Sequence, residues 1–234
     1  MGNVIMSGIV PPLEAPVGGT PLSTLAVGST LSLNVNGTAK DFLVVHQGKP
    51  SSLYDDSCDG VWLLMKDCYE ERAIDSGGDS NYPSSEIHTY LNGTFLNMFD
   101  ADIKSVVKQV KIPYRTGTSG LTVKSGANGV STRVFLLSYY EVGYEYSDST
   151  PTAIDGAKLD YFITDDANNS HRNEYVSEST IWWLRTMVDT EACGTMVHAT
   201  SSWAVTGVKQ KKGIRPALIL PSDALLAEDG TIIV

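Results

Sequence analysis

The chain has 234 residues, enough for one large domain, and its 42% hydrophobic and 19% charged residues are ordinary for a folded globular protein. Its net charge of −10 argues against nucleic acid and anionic membranes as partners, because an acidic surface repels phosphate groups. Its three cysteines cannot all pair, no apolar run approaches the ~18 residues of a membrane span, and no secretory signal is expected at Met1–Val4.

The first 28 residues are rich in glycine, proline and small side chains, a composition that resists regular structure. We interpret residues 1–28 as an extended N-terminal attachment arm, with a disordered tail as the alternative. Apolar residues such as Ile5, Ile9 and Leu13 favour an arm that packs on a neighbouring subunit. The remaining residues, 29–234, are predicted to form one domain.

The domain is predicted to open with a β-hairpin. Leu31, Leu33 and Val35 alternate with polar residues, Asn36–Gly37 is a strong turn signal, and an apolar run follows at 42–45. A second apolar run, Val61–Met65, is typical of a buried strand.

Two helices are predicted next. A serine near Glu86 can cap the first helix, and apolar residues from Ile87 to Phe99 recur at helical spacing. A second short helix is predicted over Ala101–Gln109, with Asp100 as a possible cap. Residues 115–132, dense in Gly, Ser and Thr, are predicted to be a loop.

The C-terminal half contains further apolar blocks separated by polar segments. The run 134–137 predicts a buried strand, residues 147–179 a polar loop, and 231–234 a final strand. The blocks Ile181–Arg185 and Gly213–Leu218 each place one arginine among apolar residues. Short strands with two helices clustered in one region indicate an α+β fold.

Three blocks resemble an uncharacterised family common in Gram-positive gut bacteria and their phages. They are Phe135–Ser138 followed by Glu141–Gly143, Trp182–Arg185, and Gly213–Ala217. The family is related to the C-type-lectin-like fold, which is shared with formylglycine-generating enzymes and with variable tropism proteins of phages. The resemblance covers roughly residues 30–225. It implies a C-type-lectin-like domain of short antiparallel strands and about two helices, with residues 186–212 displayed between two paired strands.

The sequence departs from the active members of that fold. It lacks the Glu-Pro-Asn or Gln-Pro-Asp and Trp-Asn-Asp triplets whose oxygen atoms hold calcium in sugar-binding lectins. It also lacks the cysteine pair of formylglycine-generating oxidases, since Cys193 stands alone. We therefore expect no cofactor, no metal ion and no catalytic residue. A calcium site at Asp55, Asp56 and Asp59 is left open as a weaker reading, because these loop acids do not follow the EF-hand pattern.

The two block arginines, Arg185 and Arg215, are interpreted as structural: each is expected to pair with a carboxylate or to stack on a tryptophan of the first block. The candidate ligand-binding residues lie between the blocks instead. They are Trp203, His198, Ser201, Ser202, Lys209 and Lys211.

Trp203 is predicted near the tip of a hairpin between 195–199 and 204–208, where it could stack on a sugar or anchor a protein contact. The alternative is that it folds back onto the core. The lysines could meet an acidic partner or merely protect a solvated edge strand.

From these features we expect a non-enzymatic virion protein of a bacteriophage, assembled in the host cytoplasm. Its arm would insert into a tail, baseplate or capsid lattice, and its domain would serve host-surface adhesion, through a cell-surface glycan or protein, or particle decoration. A homo-oligomer is expected, since such assemblies are usually symmetric. Two alternatives stay open: an enzyme on a formylglycine-generating-enzyme-like fold, and a purely structural scaffold.

Overall fold

Short antiparallel strands dominate the chain, together with two short α-helices, and the predicted α+β class is confirmed. A computed structural model describes residues 18–117, 122–145, 153–163, 169–176, 180–188, 193–198, 202–227 and 231–233. Within these ranges no helix has the length and apolar character needed to span a membrane.

The strands of the described residues are β1 Gly19–Pro21, β2 Thr30–Val35, β3 Thr38–Gln47, β4 Val61–Met65, β5 Glu71–Arg72, β6 Val110–Ile112, β7 Tyr114–Arg115, β8 Val123–Lys124, β9 Val130–Thr132, β10 Val134–Phe135, β11 Trp182–Val188, β12 Cys193–Val197, β13 Trp203–Gly207, β14 Lys212–Gly213, β15 Ala217–Leu220, β16 Leu225–Ala227 and β17 Ile232–Ile233. The α-helices are α1 Glu86–Tyr90 and α2 Ala101–Val106. A π-helical turn covers Leu91–Phe95, and 3₁₀ turns cover Leu22–Thr24, Asp56–Cys58, Tyr82–Ser84, Leu96–Met98, Gly126–Asn128, Asp160–Phe162 and Ser170–Arg172.

A five-stranded sheet of order β10-β15-β4-β3-β2 forms the centre of the fold. Its first hairpin, β2–β3, is the predicted one, and Asn36 and Gly37 both adopt positive φ in its turn, as a two-residue hairpin loop requires. Every residue of β4 is buried, which confirms the predicted buried strand. Strand β15 lies between β4 and β10, so the end of the chain completes the sheet begun near its start.

A second five-stranded sheet has the order β13-β12-β11-β14-β5. Strand β11 carries Trp182 and Trp183, both fully buried, and it is parallel to β14 through the pairing of Trp182 with Gly213. The predicted hairpin between 195–199 and 204–208 is confirmed as β12–β13. Residues 186–212 are not displayed as a whole, because β12 is largely buried and β13 is the edge strand.

The predicted first helix exists but is short and irregular. Ser85 caps α1 by accepting a hydrogen bond from the amide of His88, as a serine before Glu86 predicts. The helical spacing continues to Phe99, but the helix changes to a π-helical turn at Leu91, which includes Gly93, and then to a 3₁₀ turn.

The second helix is also shorter than predicted. Its last helical residue is Val106, because the Lys108 amide leaves the helix and donates to the Ile219 carbonyl of β15 at 2.9 Å. Asp100 occupies the N-cap position of this helix, as predicted, but its carboxylate makes no capping bond. It accepts a hydrogen bond from the Asn34 side chain at 2.9 Å instead.

Smaller sheets cover the ends of the domain. Strand β1, within the predicted arm, pairs with β16, and β16 pairs with β17 inside the predicted last strand. Residues 1–17 lie outside the described residues. The predicted loop 115–132 contains the strands β8 and β9, and the predicted strand 134–137 is extended only at Val134–Phe135, although all four residues are buried.

Candidate functional site

Arg185, from the first Trp-rich block, lies at the centre of a buried ionic network. Its guanidinium contacts both carboxylate oxygens of Glu141, at 2.5 and 2.6 Å, and both side chains are 0% exposed. Two further N–H groups donate to the carbonyls of Pro113 and Leu136, each at 3.0 Å. Burial disfavours the charged guanidinium, but the charge of Glu141 outweighs it and raises the pKa of Arg185.

Glu141 is further satisfied by two donors from different parts of the chain. The Tyr54 hydroxyl donates to one oxygen at 2.7 Å, and the Ser138 amide donates to the other at 2.8 Å. Tyr54 in turn accepts from the Ala157 amide at 3.0 Å. Burial, and then the charge of Glu141, raise the pKa of the Tyr54 hydroxyl. The network therefore joins strand β11 to the segments around residues 54, 138 and 157.

Asp155 adds a second carboxyl group to this network. It is 0% exposed and accepts from the Thr186 hydroxyl at 2.8 Å, while its carbonyl accepts from Arg185 at 3.2 Å. Its other carboxylate oxygen has no hydrogen-bond partner among the described residues. Burial raises the pKa of Asp155 to about 6. A second buried carboxyl group thus lies near the Arg185–Glu141 pair, but it bonds Thr186, and only its backbone carbonyl contacts the guanidinium.

Arg215, from the second block, is buried without a carboxylate contact among the described residues. Its three hydrogen bonds go to the carbonyls of Met65, Lys66 and Arg172, at 3.0–3.1 Å. Its guanidinium lies 4.7 Å from the ring centroid of Trp182. Burial lowers the pKa of Arg215 to about 10. The interpretation of both arginines as structural agrees with these contacts, since one is paired with a carboxylate and the other stacks on a tryptophan.

The sequence left two alternatives for Trp203, the first residue of β13: an accessible side chain at the hairpin, or one that folds back onto the core. The structure combines the two. The ring is partly buried and packs against the core, with its edge towards Tyr139 at a centroid distance of 5.7 Å. Beside it, the His198 amide donates to the Ser202 carbonyl at 2.7 Å, and the His198 carbonyl accepts from Asn173 at 2.7 Å. Ser202 is exposed, and Ser201 lies outside the described residues.

The lysines of the predicted site lie at the other end of β13. Strand β13 runs from Trp203 to Gly207, about 13 Å along a strand, and both lysines follow its far end. Lys209 is exposed, and Lys211 borders a separate cavity of about 200 Å³ beside Glu71 and Glu86. The structure therefore brings His198, Ser202 and Trp203 together and separates them from Lys209 and Lys211.

The acidic loop considered for calcium is engaged in local contacts. Asp55 accepts from the Ser57 amide at 3.0 Å and Asp56 pairs with Lys49 at 2.6 Å. Within the described parts of the chain, no group of three or more His, Cys, Asp or Glu residues is arranged to hold a metal ion. Cys58 and Cys68 are free thiols, and burial raises the pKa of each to about 12.

Sequence reasoning missed Glu141, Tyr54 and Asp155. Glu141 alone carried a signal, because it is an acidic residue inside the block Glu141–Gly143 that accompanies the arginine blocks. Tyr54 and Asp155 lie in polar stretches without periodicity, and only the folded chain brings them to Arg185.

Residues 59–222, more than half of the chain, match the family described as Domain of unknown function (DUF6273). The match includes the three blocks, the β12–β13 hairpin, and Glu141, Asp155 and Arg185 of the ionic network, whereas Tyr54 precedes it. No curated protein matches the chain significantly. No solved structure does so either.

Proposed function

The chain belongs to the DUF6273 family, and we propose that it is a bacteriophage virion protein whose C-type-lectin-like domain serves host-surface adhesion or particle decoration. The observation that carries the proposal is the burial of the block arginines at 0% and 1% exposure. The N–H groups of both arginines donate to buried carbonyls and to Glu141, so the two blocks are part of the domain interior. A binding partner would therefore contact surface residues outside these blocks.

The arrangement of the two blocks supports the C-type-lectin-like assignment. In the fold implied by the resemblance, the Trp-Arg strand lies near the closing Arg-Pro segment. Here β11 pairs with β14 through Trp182 and Gly213, and Gly213 lies two residues before Arg215. The intervening chain forms the hairpin β12–β13.

The edge strand β13 supports a role in contact with a partner. Val205 on this strand is 39% exposed, and Ser202 at its start is also exposed. A partly buried tryptophan at the edge of an exposed surface is a frequent anchor of protein and glycan contacts. Lys209 and Lys211 beyond its other end offer positive charge on an otherwise acidic protein.

Adhesion is tested with the purified chain and cell walls from Gram-positive bacteria. We expect the wild type to sediment with the walls and the Trp203→Ala, Lys211→Ala double variant to bind at least about tenfold more weakly, with Lys124→Ala as a surface control. Equal binding by the wild type and the double variant would contradict the proposed site. A wild type that sediments with none of the walls would contradict adhesion.

The attachment arm is tested by the oligomeric state. Because β1 pairs with β16, the informative deletion removes residues 1–17 and leaves β1 in place. We expect this deletion to convert an oligomer to a monomer in sedimentation velocity. Unchanged assembly after the deletion would remove the arm from the proposal.

A further inference from the structure

A groove separate from the β12–β13 hairpin lies between the β2–β3 turn and the segment that follows β4. Two adjoining cavities, of about 410 and about 320 Å³, share Lys40 and Tyr69 as common wall residues. The larger cavity extends to Tyr175, and the smaller one extends to Asn36 in the hairpin turn. Together they have the size of a binding site for a ligand of a few rings.

Tyr175 gives this groove an exposed aromatic surface. Among the large hydrophobic side chains that are exposed in the described residues, Tyr175 is the only aromatic one, at 38% exposure. The Lys66 ammonium lies 4.4 Å from the centroid of the Tyr175 ring. An exposed ring that already has a cation over one face is partly oriented before a ligand arrives.

Tyr69 forms the fixed wall between the two cavities. Its hydroxyl contacts the Met98 sulfur at 3.2 Å, and its ring packs edge-on against Phe95 at a centroid distance of 5.0 Å. This ring is held by the core, while Tyr175 stands at the mouth of the groove. The groove therefore offers two aromatic side chains at different depths.

The charges of the larger cavity cancel. Lys40 and Lys66 face Asp41 and Asp67, and the Lys66 ammonium lies 3.7 Å from the Asp41 carboxylate. Because the two lysines and the two aspartates balance, the cavity favours neither a positively nor a negatively charged ligand. The −10 charge of the whole chain further disfavours acidic polymers.

We propose that this groove binds a neutral saccharide without a metal ion, with Tyr175 against the sugar ring and Lys40, Asp41, Lys66 and Asp67 bonding its hydroxyl groups. Aromatic rings combined with acceptor and donor side chains match the alternating apolar and hydroxyl surfaces of a sugar. This inference rests on the proposed recognition function and gives it a ligand class and a second surface.

The experiment uses the full chain and a panel of neutral oligosaccharides: cellotetraose, maltotetraose and tetra-N-acetylchitotetraose. Binding is measured by isothermal titration calorimetry and by saturation-transfer NMR. We expect at least one of these saccharides to bind, and Tyr175→Ala to weaken that binding by about tenfold or more. Tyr175→Phe retains the ring and is expected to bind within about threefold of the wild type.

Val27→Ala is the matched control, because Val27 is an apolar residue of similar exposure, 36%, that lines neither cavity of the groove. It is expected to bind as the wild type does. A neutral ligand also predicts affinity that hardly changes between about 50 and about 500 mM salt. Absence of binding to the whole panel, equal binding by Tyr175→Ala, or loss of binding in Val27→Ala would each overturn the proposal.

The two proposals fail separately. A chain that adheres to cell walls but binds none of the oligosaccharides refutes the groove and leaves adhesion standing. A chain that binds an oligosaccharide through Tyr175 but adheres to no cell wall refutes adhesion and leaves the groove. Binding of an acidic peptide or a teichoic acid at this groove, with strong salt dependence, would replace the saccharide by a charged ligand and overturn the inference.

Discussion

Arg185 and Arg215 are both buried in the interior, but among the described residues only Arg185 contacts a carboxylate. The pKa of Arg185 is raised by Glu141, whereas the pKa of Arg215 is lowered to about 10 by burial. Arg215 is held by backbone carbonyls and by an indole ring. Two arginines that look alike in sequence, each inside an apolar block, are therefore stabilised by different forces.

The difference decides what each side chain leaves behind when it is removed. Loss of Arg185 strands a charged Glu141 in the interior, which is expensive because a buried charge needs a partner. Loss of Arg215 leaves carbonyl groups without donors but no unpaired charge, which costs less. Four substitutions test this difference between the two arginines.

The largest effect is expected for Arg185→Met, which retains bulk but leaves Glu141 unpaired. We expect the free energy of unfolding to fall by about 3–5 kcal/mol, measured by urea denaturation. The double variant Arg185→Met, Glu141→Gln removes the stranded charge and should recover part of that loss. A single variant as stable as the wild type would show that the ion pair contributes little.

Arg215→Met is expected to cost less, about 2–3 kcal/mol, because three carbonyls lose a donor and no carboxylate is stranded. The same urea measurement applies, and the two single variants are compared directly. A larger loss for Arg215→Met than for Arg185→Met would reverse the comparison.

Asp155→Asn tests the surplus carboxyl group near Arg185. Its pKa is about 6 in the folded chain against 3.8 for the unperturbed group, so the folded state binds this proton more tightly. That contribution to stability is fully present below the unfolded pKa and is lost as pH rises through about 6. From about pH 4.5 to pH 7.5 the wild type should lose about 2 kcal/mol more than Asp155→Asn. Parallel pH profiles would contradict the assignment.

The smallest effect is expected for Tyr54→Phe, which removes one donor to Glu141 and the acceptor of the Ala157 amide. Glu141 still has its Arg185 and Ser138 partners, so the loss should be about 1 kcal/mol. Tyr175→Phe is the control, since its hydroxyl lies at the surface, and it should change thermal unfolding very little. If Tyr54→Phe lowered the free energy of unfolding by more than Arg215→Met does, Tyr54 would be a main stabilising residue of the network and not a minor one.

Local chemistry made part of the fold predictable. The Asn36–Gly37 turn and the Ser85 cap are decided by neighbours in sequence, and both were predicted. The π-helical hydrogen-bond pattern after Tyr90 was not predicted, because apolar spacing indicates a buried face without fixing the hydrogen-bond pattern. Helix α2 ends just before Lys108, whose amide bonds the Ile219 carbonyl instead of continuing the helix. This partner is more than a hundred residues away in sequence.

The candidate sites also have a part that local sequence predicts and a part that depends on distant residues. Burial of the block arginines followed from their apolar neighbours, but their partners came from distant loops, as Tyr54 and Asp155 show. The groove was missed because its walls come from three separate segments, around residues 40, 67 and 175. None of these segments carries a periodic or motif signal by itself.

The position of β15 has a consequence for how the chain folds as it is synthesised. This strand lies inside the central sheet, between β4 and β10, yet it leaves the ribosome long after β4. Until residue 220 emerges, β4 has one open edge, and all five of its residues are apolar. Pairing between distant segments is slow and exposes such edges meanwhile. A nascent chain stalled before Ala217 therefore presents the unpaired edge of a fully apolar strand to chaperones or to other nascent chains.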